Sequence, residues 1–313
     1  MPVAKCLFVF VGALFCETLI AQESHSLASA GKSVMTYNAL FVESPDADQP
    51  WYGRSGFIHP VYTPSGRVVT DGFPTDHLHQ HGLMFAWTSA VVNGRKVDFW
   101  NSKKQVGVVE HVETTHADSE KIVVQLQHID RTSETPAIAL KETWEIQLVS
   151  HPSMNVFDLV STQNCVTELF EIKEYHYGAM CIRGSSEWLK DATMVTNEGK
   201  HRIEGNHSRP NYVTLSGVID GETCGIAAMS HPDNFRAPQP VRLHSKKPYF
   251  CFAPMILGDF RIDPEEPYVS IFRFVAFDGE PQTDELDAIW QQYTETTSMK
   301  IETHSLKSKA ETR

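Results

Sequence analysis

Apolar and polar positions alternate through much of the middle of the chain. Residues Gln105–Glu113, Lys121–His128, Ile138–Val149 and Asn155–Ser161 alternate or are rich in β-branched side chains, and polar turns separate them. A period of two puts successive side chains on opposite faces, so each segment is predicted to be a strand. Val92-Asn93-Gly94-Arg95 predicts a tight hairpin, because Asn-Gly tolerates the positive φ such a turn requires. Asp220-Gly221 predicts a second hairpin, between Asn211–Ile219 and Thr223–Met229, and Tyr268–Phe277 (YVSIFRFVAF) predicts a long strand. One segment has helical spacing instead. Leu286, Ile289, Trp290 and Tyr293 share a face, Thr283 can cap it, and Asp284, Glu285 and Asp287 favour the positive end of its dipole. Many strands with little helix predict an all-β fold: a large antiparallel β-sandwich with a short C-terminal helix, as a single domain over residues 34–295. Residues 297–313 are polar and aperiodic and predict a disordered tail.

The N-terminus has a different pattern. Lys5 precedes an apolar run from Cys6 to Cys16 (CLFVFVGALFC), which is too short to cross a bilayer as a helix. A polar break follows at Gln22 to Ser26. Residues 1–21 therefore read as a secretory signal peptide, and a secreted or periplasmic location is expected. No later apolar run reaches about 18 residues, so no membrane span is expected in the mature chain. Lys and Arg number 27 against 39 Asp and Glu, a formal charge of −12, and the basic residues are scattered. That argues against a nucleic-acid partner, which calls for a basic patch. Cys165, Cys181, Cys224 and Cys251 remain after the signal; no C-x-x-C spacing suggests a zinc knuckle, and buried free thiols or one disulfide both fit.

Histidine changes the picture most. The chain has 15, and the densest group is Thr75-Asp76-His77-Leu78-His79-Gln80-His81-Gly82. On a strand, His77, His79 and His81 would project to one side, where three imidazoles could hold a divalent metal or bind and protonate a polar substrate. Asp76 could orient one of the rings. His59, upstream, could converge on the same place. A second group, Glu171 to Gly178, puts Glu174 and His176 on one face of a strand as a usable acid–base pair, and Arg183 follows as a fork for a carboxylate or several hydroxyls. A third group runs through His231, Pro232, Asn234 and Arg236 to Arg242 and His244 in a proline-rich loop.

Together the three groups resemble a bacterial family labelled methane oxygenase PmoA-like, whose function is largely unassigned. The resemblance covers about Tyr37 to Gly279. Its most specific part is DHLHQHGLMFAW, from Asp76 to Trp87, followed by Val92-Asn93-Gly94 and Val97-Asp98-Phe99-Trp100. Asp76, His77, His79 and Gly82 match a family pattern of Asp-His-Pro-His-His-Arg-Gly; Leu78, Gln80 and His81 depart from it. Lys173-Glu174 and Arg183 match a second family segment, and His231-Pro232, Asn234, Gln239-Pro240 and Asp278-Gly279 a third. The membrane subunit that gives the label its name has several hydrophobic spans, which are missing here, so the resemblance implies a fold and a shared pocket before it implies an oxygenase. The strand pattern looks similar to the large supersandwich of galactose mutarotases.

Three functions follow as expectations. The first is a secreted carbohydrate-active enzyme (a lyase, hydrolase or epimerase) acting on a small-molecule or oligosaccharide substrate. In it His77, His79, Glu174 and His176 are catalytic, and His59, Asp76, Arg183, His231, Asn234 and Arg236 bind substrate. The second is a metal-dependent oxygenase or oxidoreductase with His77, His79 and His81 as ligands of a divalent metal. The third is a non-enzymatic sugar-binding envelope protein.

Overall fold

A computed structural model describes residues 24–295. The signal peptide expected over 1–21 and the tail expected over 297–313 lie outside them. Two large antiparallel sheets form a sandwich. The seven-stranded sheet runs, in spatial order, His25–Ser29, Lys32–Asn38, Phe57–Val61, Leu83–Ala86, Ala179–Arg183, Tyr249–Phe252 and Val241–Leu243. The eight-stranded sheet runs Thr193–Thr196, Tyr212–Ile219, Glu222–Ser230, Tyr268–Asp278, Asn155–Cys165, Ala137–Val149, Lys121–Asp130 and Gly107–Ala117. A smaller four-stranded sheet joins Phe260–Arg261, Phe170–Ile172, Ala90–Val92 and Arg95–Val97. The first strand starts at His25, so the sheet begins before the expected boundary at residue 34.

The alternation seen in the sequence is what builds the layers. Along Tyr268–Asp278, Phe272, Phe274 and Ala276 face the core between the sheets, while Ile271, Val275 and Phe277 face outward. The inward side is continuous across the sandwich: Phe252 of one sheet meets Phe272 of the other at 5.3 Å, and Tyr37 meets Trp144 at 6.0 Å. The outward side would be a solvated apolar stripe without a cover. The helix over residues 283–295 supplies it, laying Leu286, Ile289 and Tyr293 on Val156, Tyr212, Met229 and Val275. Burying a large apolar side chain contributes about 1.5–3 kcal/mol, so this short helix is held mainly by its apolar face.

Both predicted hairpins are present. Asn93 and Gly94 have φ of 46° and 82°, and Asp220 and Gly221 have 53° and 80°, the paired positive values of a turn whose twist matches its strands. The four cysteines among the described residues are buried and free, which removes the disulfide alternative for them. Cys181 and Cys251 are direct cross-strand partners, and each is packed away from water.

Candidate active site

The histidine-rich segment is not a strand. It is a loop of consecutive turns, with the His77 N–H donating to the Pro74 carbonyl at 3.0 Å and the Gln80 N–H to the His77 carbonyl at 2.9 Å. Proline and threonine at the start favour turning over extension. Gly82 ends the loop with φ of 54°, and a Cβ there would stand 2.1 Å from the Ile58 carbonyl oxygen. Only glycine lets the chain pass so close before it enters the strand Leu83–Ala86.

This geometry overturns the expectation of three convergent imidazoles. His77 and His79 stay together, their ring centres 5.5 Å apart. His81 turns inward, bonds the Gly72 carbonyl through Nδ1 at 2.8 Å and packs between Phe57 and Phe73. Burial pushes its pKa well below the ordinary histidine value. Among the described residues, no group of three or more His, Cys, Asp or Glu side chains is arranged to hold a metal ion. The donor set expected for a divalent metal therefore does not fit.

His77 and His79 open instead onto a cleft of about 310 Å³. Gln80 and Trp100 line it with Asn101, followed by His176, Tyr177 and Tyr249, then Arg242 and His244. Three aromatic rings form one wall: Trp100 lies 5.5 Å from Tyr177 and 6.0 Å from Tyr249. The Asn101 amide reaches the Tyr177 hydroxyl at 3.2 Å. The lining comes from distant parts of the chain, because Ala179–Arg183, Tyr249–Phe252 and Val241–Leu243 are neighbours in the seven-stranded sheet.

Asp76 organises one side. Its Oδ2 accepts a hydrogen bond from His77 Nδ1 at 2.9 Å, and its Oδ1 accepts one from Arg183 Nη2 at 2.6 Å. Lys247 Nζ lies 3.1 Å from Oδ2. Burial alone would raise the Asp76 pKa, but the bonds from Arg183, His77 and Lys247 outweigh it and hold the carboxyl well below its usual range. An ionised carboxylate only accepts, so His77 carries its proton on Nδ1 and presents the Nε2 lone pair when neutral. His244 has the opposite arrangement. Its Nδ1 accepts from the Lys246 and Lys247 amides, each at 3.1 Å, so the neutral ring carries its proton on Nε2. The two rings stand 5.9 Å apart. One therefore offers an acceptor and the other a donor. Burial, with the charge of His77 second, pushes His79 down to about 4; burial, with Arg242 second, does the same for His244. Both are neutral at pH 7.

Several expected site residues lie elsewhere or do other work. Glu174 is exposed on a loop, where its N–H donates to Asp259 Oδ1 at 2.6 Å; it does not line the cleft and forms no pair with His176. The segment 173–178 is not a strand, so alternation does not govern it. Arg183 is completely buried, and its fork goes to Asp76 and to Gln80 at 2.9 Å, so it positions the site and cannot clamp a ligand. His59 bonds the Thr70 hydroxyl at 3.0 Å outside the cleft lining. His231 is buried against Tyr293 at 5.1 Å, under the helix. Asn234 ties its loop to both backbone groups of Ile271, and Arg236 ties three carbonyls, those of Pro254, Gly258 and Asp259. These three staple loops together. Asn101, Lys247 and Tyr249 carry no sequence signal of their own and are found only through the sheet order.

Residues 24–291 match the model of a family of unknown function, DUF6807. The chain belongs to that family. Its description carries no oxygenase label. No curated protein matches this DUF6807 member. Among solved structures it is similar to a galactose mutarotase related enzyme from Lactobacillus acidophilus, at 10% identity and a TM-score of 0.30, over 81% of this chain and 97% of that one.

Proposed function

We propose that this DUF6807 protein is an enzyme that moves a proton to or from a sugar-like substrate held in the cleft, with His77 as the acid–base group. The observation that carries the reading is the Asp76–His77 pair. A carboxylate fixed by Arg183 and Lys247 holds one ring nitrogen of a half-buried imidazole that opens onto the cleft. Nε2 then accepts a proton from substrate, and Asp76 stabilises the imidazolium that forms. Asp76 itself is not the acid, because its carboxyl is held ionised. The neutral His244 donates from Nε2, and Asn101 and Tyr177 add hydroxyl-binding groups beside the aromatic wall.

The lining also narrows the reaction. Glycoside hydrolysis ordinarily needs two carboxyl groups flanking the bond, about 5–9.5 Å apart. Among the described residues, none of the side chains lining the cleft is a carboxylate. Proton abstraction at carbon, as in an epimerase or a lyase, fits an imidazole base in a cleft whose lining has no carboxylate better. The oxygenase reading has no observation in its favour, since His81 has left the group. A simple binding protein would have no need of a carboxylate-oriented imidazole. We place the working site outside the cytoplasm, on the strength of the apolar run from Cys6 to Cys16.

The test is incubation of the purified protein in D2O with a panel of aldoses, ketoses, uronates and small glycosides, followed by proton NMR. Deuterium entering a carbon position, or an alkene or epimer appearing, supports the reading. A panel in which the protein binds a sugar saturably with neither exchange nor product would establish the binding protein instead.

A further inference from the structure

Arg242 differs from Arg183, Lys247 and Lys104, the carboxylate-paired cations around the cleft. Arg183 and Lys247 both direct their charge to Asp76, at 2.6 and 3.1 Å. Asp98, the other carboxylate whose field reaches His79, is matched by Lys104 at 2.7 Å. Arg242 lies on the edge strand Val241–Leu243 and donates only from Nη1, to the Asn206 side-chain oxygen at 3.1 Å and the Leu243 carbonyl at 3.4 Å. Both acceptors are neutral, and no carboxylate among the described residues pairs with it. Arg202, behind His244, likewise donates to carbonyls alone, those of His244, Lys247 and Ala192. Cations thus outnumber carboxylates on this side of a chain whose overall charge is −12. The excess is felt locally: after burial, Arg242 is the next cause that lowers the pKa of both His176 and His244.

An unpaired guanidinium in the wall of a cleft, with Nη2 and Nε uncommitted, is suited to a planar or tetrahedral anion, which it can hold with two parallel hydrogen bonds. We propose that the ligand of this cleft carries an anionic group, and that Arg242 binds it between His176 and His244. The chemical class is a sugar bearing a carboxylate or a sulfate ester. The inference rests on the reading above only in taking this cleft as the ligand site; it does not need the proton transfer. Arg242 is then the residue that selects acidic sugars over neutral ones.

Calorimetric titration of wild-type protein, R242Q and R242K with glucuronate, glucose 6-sulfate and glucose, at matched ionic strength, tests it. Asn206 still accepts from the Leu243 amide at 3.0 Å without Arg242, so the loop keeps its anchor, and a thermal melt checks that R242Q folds. The expected result is at least about tenfold tighter binding of one anionic sugar than of glucose, which corresponds to about 1.4 kcal/mol. That preference should vanish in R242Q and survive in part in R242K. The better of the two anionic ligands identifies the anion. Glucose binding as tightly as both anionic sugars overturns the proposal, as does a preference that persists in R242Q or an absence of binding by all three. H77Q separates the two readings. Anion preference kept with turnover also kept contradicts the acid–base role and leaves this inference standing; turnover lost in H77Q with no anion preference in the wild type does the reverse.

Discussion

The Asp76 carboxylate joins His77 to Arg183: it accepts from His77 Nδ1 at 2.9 Å on one oxygen and from Arg183 Nη2 at 2.6 Å on the other. His77 and Asp76 are adjacent in sequence, but Arg183 comes from a strand about a hundred residues later, paired to the strand that the histidine loop leads into. The loop is thus fastened to the sheet by a charged contact at the point where its imidazole meets the cleft.

Removing Arg183 should cost stability and site order together. Breaking a buried pair by deleting one partner typically costs about 3–5 kcal/mol, since the other charge is left uncompensated; Lys247 still reaches Asp76, so the lower end applies here. R183M should lower the midpoint of urea unfolding accordingly. R183K should recover only part, because lysine lacks the fork that serves Asp76 and Gln80 at once. A wild-type midpoint in R183M would contradict this role.

Acid should destabilise the fold from about pH 6.5 downward. His79, His111 and His244 each have a folded pKa of about 4, in every case with burial as the first cause. In the unfolded chain they titrate near about 6.5. Between those values the unfolded state binds more protons, so stability falls as pH drops from 6.5 to 4. Glu142 adds a later loss. Burial would raise its pKa, but bonds from His128, Ser161 and Trp144 lower it overall, so its contribution is present above about 4.5 and is lost as pH falls through the lower folded value. Melting curves should be flat between pH 7 and 8 and descend below pH 6.5. H79Q should flatten the upper part of that descent. A melting temperature that rises on acidification from pH 7 to 5 would contradict the assignment.

Gly82 should tolerate no side chain. An added Cβ meets the Ile58 carbonyl oxygen and the His59 Cβ, at 2.1 and 3.0 Å, in a backbone conformation L residues disfavour. An unstrained glycine-to-alanine change gains about 0.4–1 kcal/mol, whereas G82A should destabilise by more than that amount, measured by thermal unfolding. G66A, at a turn with nothing within 4 Å, tests positive φ without the clash and should cost less.

The thiols should be silent in the native protein. Burial is the first cause that pushes the Cys251 and Cys224 pKa values up to about 11, and it also raises Cys181 well above the ordinary thiol value. A thiol reagent at pH 8 should label none of the four cysteines of the described residues before unfolding and all four afterwards. Rapid labelling of the native protein would show that the sheet around Cys181 and Cys251 opens.

The sandwich was legible in the sequence because alternation and Asn-Gly or Asp-Gly turns are local signals, and one sheet face buries every second residue along Tyr268–Asp278. The site was legible only in part. Alternation predicts extended chain over residues 75–82 and 173–178, but both are loops, so His81 does not join His77 and Glu174 does not pair with His176. His77, His79 and His176 do share a cleft. Their partners Arg242, His244 and Tyr249 are brought in by strand order, which composition and spacing do not encode. The fork of Arg183 suits a ligand clamp in sequence, but the side chain is buried and its fork is taken by Asp76 and Gln80.

The most direct test of the account compares H77Q with E174Q on the same substrate, once the D2O screen has found one. The sequence admits either residue as the acid–base group, and the structure puts only His77 in the cleft. Loss of a general acid–base group typically costs about 10²–10⁴ in rate. The account predicts that kcat/KM falls by at least about a hundredfold in H77Q and stays within about twofold of wild type in E174Q. Wild-type turnover in a folded H77Q protein, or collapse in E174Q alone, would contradict it.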